Sequence, residues 1–429
     1  MVSHSQTSLP STDYDAVVIG GGPAGSTASA LLAEKGWNVV VIEKERFPRY
    51  HVGESLMPFC WHLLNRLGLV ERMDELGFTQ KFSVQFATPQ GQVSKPFYFF
   101  EHYDHPSSTT WQVNRDEFDH LLLRNAAHQG AEVREGTKVT RLLQDETGRC
   151  RGVAVLGEEG EEEIRARIVV DASGRDAFAQ SKLRWRERDP QLNKVAIWTY
   201  FENAVRDPGL DAGSTTVAYL PHGGWFWYIP LKDGRTSLGV VGERGDLFDG
   251  TRDPAEIMDR QIQDNDWIRD HLKGAQQVGQ YWTTGEYSYR SRYSADDGLV
   301  LIGDAFAFLD PVFSSGVFLA LKTGAMGADA IDAALQADDV SAERFARYSD
   351  EVCATIEKFR KIVYAFYDKE ASFGKVIRKH PDLRPDLTDL LIGNVDKGGF
   401  KELFEGFSEL MPLPADLEHG RPRTAEAVA

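Results

Sequence analysis

Short apolar runs that lead into or out of glycine turns recur along the chain and set its predicted strand order. The runs are Asp15–Ile19, Val39–Ile42, Ile168–Val170 and Gly298–Ile302. They are rich in Val and Ile and show no polar alternation, which is typical of parallel strands buried on both faces. The segment between the first two runs is rich in Ala, Leu and Ser and predicts a helix that closes near Gly36.

Between Val195 and Gly242 several strand-like runs recur at regular spacing instead. This pattern predicts an antiparallel sheet that forms a second lobe. The remaining pattern predicts helices over Glu54–Leu67, Asp116–Ala127 with Asn114 as N-cap, Asp253–Leu272, Ser315–Leu335 and from Asp338 to Arg378, then a mobile tail after Met411.

The turn after the first apolar run places glycines at Gly20, Gly22 and Gly25. The first permits a tight turn, the second lets backbone N–H groups approach a pyrophosphate, and the third lets the helix pack on the strand. The N-terminus of that helix favours the negative charge of the phosphates. Glu43, after the second run, is placed to accept hydrogen bonds from ribose hydroxyls. Strand, loop, helix, strand and acid in this order predict a dinucleotide site.

The predicted nucleotide-binding pieces extend from the first to the last third of the chain, so two lobes should be interleaved. We predict a mixed α/β fold in which a Rossmann-like dinucleotide-binding domain is interleaved with an antiparallel-sheet substrate domain. The predicted boundaries are 13–80, 105–180 and 285–337 for the first domain, 81–104 and 181–284 for the second, and 338–429 for a C-terminal helical region. A second fingerprint for a nicotinamide nucleotide does not occur in the sequence, which fits one tightly held flavin.

Charge and cysteine content narrow the function classes. The 429 residues carry a formal net charge of −17, which disfavours nucleic acid and anionic membrane as partners because either would need a basic face. Three scattered cysteines predict neither a disulfide framework nor a metal cluster. Residues 1–12 lack an apolar signal core, and no apolar run approaches the ~20 residues that span a bilayer. We expect a cytoplasmic protein.

Further segments resemble the flavin-dependent halogenases, within the two-domain flavoprotein fold that they share with aromatic hydroxylases. The most specific is Trp225–Pro230, which is similar to the family's W-x-W-x-I-P signature. Phe47–Arg49 with Gly53–Ser55 resembles the family's flavin-covering loop, and Gly303–Ala305 with Asp310–Gly316 resembles its flavin and halide loop.

The resemblance implies FAD, used as FADH2, and chloride or bromide. It places the halide at the backbone N–H groups of Ser315 and Gly316, a small concavity at a helix start. Gly303–Asp304 alone would fit any flavoprotein of this fold. The residues implied to bind the cofactor are Gly20, Gly22, Ala24, Gly25, Glu43, Lys44, Arg49, Ser55, Arg115, Asp171, Gly174, Asp304, Pro311, Gly316 and Val317.

Lys81 lies among Phe78, Phe82 and Val84 and matches the catalytic lysine of the family. Most strand lysines are simply exposed. If Lys81 instead lines a tunnel, loss of hydration lowers its pKa from ~10.4 by several units. The neutral amine would then capture hypohalous acid as a haloamine, or the ammonium would orient the acid by hydrogen bonding.

Trp225 and Trp227 alternate on a predicted strand and therefore point to the same face. One interpretation is a pair of core aromatics. The resemblance implies instead a catalytic role as a wall, which keeps the organic substrate away from the flavin and lets a small oxidant pass.

The implied activity is halogenation of an electron-rich aromatic ring by hypohalous acid formed from reduced FAD, O2 and halide. A separate flavin reductase would supply FADH2. Phe313 stands where tryptophan halogenases carry a glutamate, so free tryptophan is disfavoured relative to a phenol or pyrrole, either free or tethered to an acyl or peptidyl carrier protein. The alternatives are an aromatic monooxygenase, an isoprenoid reductase of the same fold, or a non-catalytic flavoprotein.

The segment Lys358–Arg384 is basic in an otherwise acidic chain. Such charges usually form a solvated helix face. The alternative is a surface that docks an acidic carrier protein.

Overall fold

The computed structural model describes residues 13–189, 191–285, 288–368 and 373–424. The strands are β1 Tyr14–Ile19, β2 Val39–Ile42, β3 Thr79–Lys81, β4 Ser83–Ala87, β5 Phe97–Tyr98, β6 Thr110–Gln112, β7 Glu132–Arg134, β8 Lys138–Gln144, β9 Cys150–Gly157, β10 Gly160–Asp171, β11 Arg186–Arg188, β12 Lys194–Glu202, β13 Thr215–Tyr219, β14 Trp225–Pro230, β15 Arg235–Glu243, β16 Gln276–Gly285, β17 Tyr289–Ser291, β18 Ala295–Asp296, β19 Leu299–Leu301 and β20 Ala307–Phe308. The α-helices are α1 Pro23–Glu34, α2 Cys60–Arg66, α3 Val70–Glu75, α4 Arg115–His128, α5 Phe178–Leu183, α6 Arg244–Leu247, α7 Pro254–Gln263, α8 Asp266–His271, α9 Ser315–Gln336, α10 Ala346–Tyr367, α11 Phe373–Lys379, α12 Arg384–Ile392 and α13 Phe400–Ser408.

The first sheet forms the centre of the nucleotide lobe. Its path runs β18-β19-β10-β1-β2-β7, and β8 and β9 join it through β10. β1 pairs in parallel with β10 and β2, and β19 and β7 continue in the same direction. Helix α1 packs between α4 and α9. The buried positions of β2 and β19 explain the unbroken Val and Ile runs, because neither face of the sheet meets water here.

The second sheet has the order β16-β12-β15-β14-β13-β4-β5. Its pairs are antiparallel except for β13 with β4. β4 and β5 precede helix α4 of the first lobe, whereas the other strands follow α5, so the lobes are interleaved. This confirms the mixed α/β class, while the domain boundaries at single residues stay a prediction. One face of the sheet packs on Ile257 and Trp267 of α7 and α8, and the other carries Trp225 and Trp227.

The predicted helix over Glu54–Leu67 is wrong at its beginning, because α2 starts only at Cys60. Ser55 instead forms a bridge to Gln112 in the manner of a strand. Pro58 also disfavours a helical conformation at the residue before it. The chain therefore enters α2 from an extended segment that lies along β6.

Two further helix predictions need correction. The predicted helix over Asp253–Leu272 is divided into α7 and α8, because the Asn265 side chain accepts a hydrogen bond from the Ile268 N–H and caps a new helix. The predicted helical stretch beyond Asp338 corresponds to α10 and α11, and residues 369–372 between them lie outside the described residues. Asn114 does precede α4, although its side chain forms no capping hydrogen bond.

The chain after Met411 was predicted to be mobile, and this is corrected for residues 412–424. Arg290 donates to the Leu417 carbonyl at 2.6 Å, and the Gly420 N–H donates to the Arg292 carbonyl at 2.8 Å. These bonds hold the segment against the first lobe, while residues 425–429 lie outside the described part of the chain. Among the described helices, none combines the length and the apolar character that a bilayer crossing requires.

Candidate active site

The glycine turn between β1 and α1 has no room for a side chain at Gly20 or at Gly25. Gly20 has φ +102°, and a Cβ there would lie 2.5 Å from the Ala172 carbonyl oxygen. A Cβ at Gly25 would lie 2.0 Å from the Gly20 oxygen. Only glycine satisfies both restrictions, because other residues avoid positive φ and carry a Cβ. The predicted tight turn and close helix packing are therefore present.

The turn ends at an open helix N-terminus beside a fixed carboxylate. Gly22 is the N-cap of α1, with no capping side chain and no acid in the first turn. The partial positive charge of these N–H groups is thus available to an anion. Glu43 Oε2 accepts from the Gly21 N–H at 2.7 Å, and Oε1 accepts from the Glu45 N–H at 2.8 Å. These two bonds hold the Glu43 carboxylate at the end of β2.

A cavity of about 400 Å³ extends from this turn to the second sheet. Its lining contains most of the residues predicted to bind the cofactor and both predicted wall residues. These are Gly20, Gly22, Ala24, Glu43, Lys44, Arg49, Ser55, Arg115, Gly174, Asp304, Pro311, Gly316, Val317, Trp225 and Trp227.

Two of the predicted cofactor residues lie behind this lining. Asp171 is fully buried, and its carboxylate accepts from the Ser173 N–H at 3.0 Å and the Ala179 N–H at 2.6 Å. It therefore shapes the loop after β10 and does not face the cavity, which corrects the prediction of a ligand. Gly25 likewise supports the turn from behind and allows α1 to approach β1.

Two arginines line the cavity and share one buried carboxylate. Arg115 Nε and Nη2 donate to Asp119 at 2.7 and 2.9 Å, and Arg49 Nη1 donates to it at 2.9 Å. Burial alone would raise the pKa of Asp119, but the charges of Arg115 and Arg49 outweigh burial and hold that pKa below its ordinary value. Arg49 Nε also pairs with Glu45 Oε2 at 3.2 Å, so Asp119 and Glu45 together balance the positive charge of this cavity wall.

Asp304 faces the cavity without a hydrogen-bond donor for its carboxylate in the described part of the chain. It follows β19 and is half-buried. Loss of hydration raises the pKa of Asp304 to about 6, although the charges of Arg175 and Arg115 lower it. A carboxylate held in this way is suited to accept hydrogen bonds from the hydroxyls of a bound ligand.

Lys81 is buried, with 2% of its surface exposed. It ends β3, and its Nζ donates to Ser55 Oγ at 2.8 Å and to the Leu56 carbonyl at 3.2 Å. Burial lowers the pKa of Lys81 to about 7, because the ammonium loses its hydration and gains no carboxylate partner. Lys81 is not part of the cavity lining, but its partner Ser55 is.

Trp225 and Trp227 lie side by side on β14, with ring centroids 6.2 Å apart. Trp225 Nε1 donates to the Tyr367 hydroxyl at 2.8 Å, and Trp227 Nε1 donates to Ser237 Oγ at 3.0 Å. A Cβ at Gly239 would lie 2.1 Å from the Trp227 ring, so the neighbouring strand leaves room for this indole. Both rings are therefore fixed in the cavity wall.

The predicted halide residues lie at the beginning of α9. Ser314 adopts φ +58° before the helix, and no side chain caps the N-terminus. Gly316 lines the cavity, and a Cβ there would meet nothing within 4 Å. Ser315 is 1% exposed and does not line the cavity, so only a backbone role is open to it.

Sequence reasoning missed three polar residues around this cavity. Thr215 lines it and shares a hydrogen bond with Ser55, Gln112 supports Thr215 from behind, and the Glu54 carboxylate accepts from the Tyr200 hydroxyl at 2.6 Å. Thr215 and Gln112 belong to no motif. Glu54 stands in the Gly53–Ser55 motif, but it was predicted to begin a helix, and a helix there does not predict its contact with Tyr200.

The residues of the cavity fit FAD. The turn without Cβ atoms and the open N-terminus of α1 suit a pyrophosphate, and Glu43 and Asp304 present carboxylates to ribose or ribityl hydroxyls. The N-terminus of α9 suits the negative charge of a reduced flavin. When bound, FAD supplies the redox chemistry that oxidises the halide with O2.

Comparison with known proteins identifies the family. The family model described as tryptophan halogenase matches residues 15–108 and 90–382. The chain is 31% identical over 434 residues to the 1H-pyrrole-2-carbonyl-(peptidyl-carrier protein) chlorinase of Pseudomonas fluorescens, with 95% of each chain covered. It is 32% identical over 383 residues to the corresponding brominase of Pseudoalteromonas luteoviolacea, covering 89% of this chain and 92% of that one. It is also 35% identical over 368 residues to a tryptophan 2-halogenase of Chondromyces crocatus, covering 83% of this chain and 68% of that one.

Solved structures agree with the sequence matches. The flavin-dependent brominase Bmp2 superposes with a TM-score of 0.83 at 29% identity, covering 92% of this chain and 99% of that one. The myxobacterial chondrochloren halogenase CndH superposes with a TM-score of 0.77 at 32% identity, covering 92% and 96%. The chain therefore belongs to the tryptophan halogenase family, and it is a flavin-dependent halogenase, an enzyme that uses FAD and a halide.

Proposed function

We propose that this enzyme halogenates a pyrrole ring that is carried as an acyl group on a peptidyl carrier protein. A separate flavin reductase supplies FADH2, and chloride or bromide is bound at the backbone of Ser315 and Gly316. Hypohalous acid formed in the flavin cavity passes Trp225 and Trp227 and reaches Lys81, which delivers the halogen to the ring.

The observation that carries this proposal is the burial of Lys81 beside the flavin cavity. An amine with a pKa of about 7 is half neutral at neutral pH and can act as a nucleophile toward the halogen atom. Ser55 connects it to the cavity by one hydrogen bond of 2.8 Å. An exposed strand lysine would have offered neither property.

The tryptophan wall supports transfer by a small diffusing oxidant. Trp225 and Trp227 are 2% and 8% exposed, and hydrogen bonds hold both indoles in place. A fixed wall of this bulk would keep an aromatic ring from the flavin and so prevent direct oxygen transfer. The enzyme would then act mainly by confinement and positioning.

The relatives and Phe313 support an electron-rich ring. Two relatives that match over about nine tenths of both chains are named for pyrrolyl groups on a carrier protein. The Phe313 ring packs on Phe366 and Phe373, with centroids 5.8 and 5.7 Å away. A phenyl ring cannot take the proton from the ring carbon, so the substrate must be reactive without that assistance. Pyrrole meets this requirement, and a phenol is the second candidate.

Fewer basic residues of the segment 358–384 are available for carrier docking than its sequence suggests. Arg360 is buried and pairs with Asp189 at 2.8 Å, and Lys361 pairs with Asp416 at 2.7 Å. Lys375 and Arg378 on α11 are exposed. If they contact an acidic carrier protein, charge reversal at both should weaken carrier binding in a titration, and unchanged affinity would contradict this role.

The substrate is tested with a reconstituted reaction. Enzyme, flavin reductase, NADH, FAD and O2 are combined with pyrrole-2-carbonyl carrier protein, once with chloride and once with bromide, and the carrier is analysed by intact mass spectrometry. We expect halogen on the tethered pyrrole, and little or none on free pyrrole-2-carboxylate, a simple phenol or free tryptophan. Halogenation of a free ring alone would contradict the tethered substrate.

The role of Lys81 is tested in the same reaction. Lys81→Ala should abolish ring halogenation, while FAD affinity stays unchanged and free hypohalous acid is captured by the chemical trap monochlorodimedone. Retained ring halogenation would contradict the role of Lys81. Addition of oxygen to the substrate would indicate a monooxygenase, and addition of two hydrogens would indicate an isoprenoid reductase.

A further inference from the structure

Ser55 connects Lys81 to the flavin cavity. Its Oγ lies 2.8 Å from Lys81 Nζ and 2.9 Å from Thr215 Oγ1. Ser55 and Thr215 line the cavity, whereas Lys81 and Gln112 lie behind them. At most 5% of any of these four residues is exposed, so bulk water does not compete for their hydrogen bonds.

Gln112 sets the direction of these hydrogen bonds. Its Nε2 donates to the Gly213 carbonyl at 2.9 Å and to Thr215 Oγ1 at 2.8 Å. A carbonyl only accepts, so the amide nitrogen must face Gly213, and the orientation of the amide is fixed. Thr215 Oγ1 therefore accepts from Gln112, which leaves its own hydrogen able to be donated to Ser55 Oγ.

Ser55 is left with one hydrogen to donate. When Thr215 and an N–H of Lys81 both donate to it, the Ser55 oxygen uses both lone pairs of a hydroxyl. The Ser55 hydrogen has no acceptor among these neighbours, and the side of Ser55 that remains is the cavity. An oxygen atom that enters the cavity near Ser55 would therefore meet a donor that is already oriented.

We propose that Ser55 is a further catalytic residue, which binds the oxygen of hypohalous acid and relays a proton during halogen transfer to Lys81. Thr215 and Gln112 are positioning residues that orient the Ser55 hydroxyl. This inference rests on the proposed function, because it requires hypohalous acid as the reagent and Lys81 as its acceptor.

The proposed step balances without another reagent. The neutral Lys81 amine attacks the halogen, so the N–halogen bond forms while the O–halogen bond breaks. One amine hydrogen moves to Ser55 Oγ, and the Ser55 hydrogen moves to the departing hydroxide, which leaves as water. The halogen keeps its oxidation state, and Ser55 regains its hydroxyl.

The surroundings of Lys81 favour the neutral amine that this step needs. Burial lowers the pKa of Lys81 to about 7. The titratable group that faces it is the Cys60 thiol, whose pKa burial raises to about 12, so this thiol stays uncharged.

The first test compares Ser55→Ala with Ser55→Thr. We expect Ser55→Ala to lower ring halogenation about 10²-fold, the lower end of the effect of a positioned proton-transfer group, while captured hypohalous acid rises. Ser55→Thr should restore most of the activity. Ser294→Ala is the matched control, since it removes a buried hydroxyl that pairs with Ser349 of α10 outside the cavity lining. A Ser55→Ala enzyme within twofold of the unaltered enzyme would overturn the relay.

The second test measures Lys81 without flavin. NMR of the enzyme with ¹³Cε-labelled lysine gives the pKa of Lys81, with Lys81→Ala used to assign the signal. We expect Ser55→Ala to lower this pKa further, because the ammonium loses an acceptor, and to move the rising limb of the pH–activity profile in the same direction. A Ser55 hydroxyl without a hydrogen bond to Lys81 in solution would leave both unchanged, and this result would overturn the relay.

The third test reverses the hydrogen bonds at constant size. In Gln112→Glu, the atom that faces Thr215 accepts, so Thr215 should donate to it and draw the Ser55 hydrogen away from the cavity. We expect a loss similar to that of Ser55→Ala with unchanged FAD affinity. If Gln112→Glu does not fold, Thr215→Val replaces it, because it removes the Thr215 hydroxyl at similar volume. Thr215→Val should reduce ring halogenation by a smaller factor than Ser55→Ala.

The outcomes separate the two proposals. If Lys81→Ala still halogenates the ring, the proposed role of Lys81 fails and the relay fails with it. If Lys81→Ala is inactive but Ser55→Ala and the folded Gln112→Glu or Thr215→Val enzyme keep full activity, the relay alone is overturned.

Discussion

Tyr367 and Asp310 join the end of helix α10 to the segment 310–314, which precedes α9. The Tyr367 hydroxyl donates to Asp310 Oδ2 at 2.7 Å and accepts from Trp225 Nε1 at 2.8 Å. Burial raises the pKa of Asp310 to about 6, and the bond from Tyr367 lowers it in part. One hydroxyl thus connects a wall residue of the cavity with the loop before α9.

Tyr367→Phe should destabilise the enzyme by about 1–3 kcal/mol, because Trp225 Nε1 and Asp310 Oδ2 lose a partner while buried. Urea unfolding measures this change. Tyr219→Phe is the control, since Tyr219 stacks on Phe366 with centroids 5.6 Å apart and its hydroxyl forms no hydrogen bond with the described residues. Equal stability of the two variants would show that the hydrogen bonds of the Tyr367 hydroxyl add nothing to the free energy of unfolding.

Lys81→Met should stabilise the protein while it removes activity. The folded-state pKa of Lys81 is about 7, below that of an unfolded lysine near 10.4. The unfolded chain therefore binds an extra proton between these values, and stability rises with pH from about 7 to about 10. Removing the amine should add up to about 4 kcal/mol at pH 7 and flatten this rise. Unfolding measured at several pH values checks both effects, and an unchanged slope would contradict the lowered pKa.

Gly25→Ala and Gly22→Ala should fail in different ways. A Cβ at Gly25 would lie 2.0 Å from the Gly20 oxygen, whereas a Cβ at Gly22 would have Arg49 Nη2 as its nearest atom at 3.7 Å. Gly25→Ala should therefore lower the melting temperature of the FAD-free protein and abolish FAD binding. Gly22→Ala should melt normally but bind FAD more weakly, because its Cβ enters the approach to the pyrophosphate. Calorimetry and flavin fluorescence separate the two results.

Asp119→Asn should cost about 3–5 kcal/mol, since it leaves Arg115 and Arg49 without their shared buried charge. The folded-state pKa of Asp119 is lowered, so its contribution is present above the ordinary carboxyl pKa and is lost as the pH falls below about 4. The variant should thus lose less stability on acidification than the unaltered enzyme. Glu75→Gln removes an exposed pair with Arg72 and should cost at most about 1 kcal/mol.

The nucleotide half of the site could be predicted because its determinants are local. β1, the glycine turn, α1 and β2 follow one another within thirty residues, and each glycine has a steric reason that spacing alone reveals. The tryptophan wall was predicted from a contiguous signature. Asp171 was predicted as a ligand for the same reason, but it is fully buried and does not belong to the cavity lining.

The surroundings of Lys81 could not be predicted because they are assembled across the chain. Ser55 and Thr215 are 160 residues apart in sequence and meet only where the two lobes join. The extended segment that brings Ser55 beside Lys81 was predicted as a helix, since its pairing with β6 depends on a partner more than fifty residues away. Local propensity does not register such pairing.

Lys81 ends β3, and Ser83, two residues later, opens β4 at the second sheet. A chimera that takes the sheet lobe from a relative therefore cannot be joined between Lys81 and the sheet without disturbing one of them. If the junction lies before β3, the relative's lysine is placed against Ser55 and Leu56 of this chain. If it lies after β5, β4 of this chain must pair with β13 of the relative. Chimeras made to alter ring preference should keep β3 to β5 with the sheet and recruit Ser55 and β6 from the same parent.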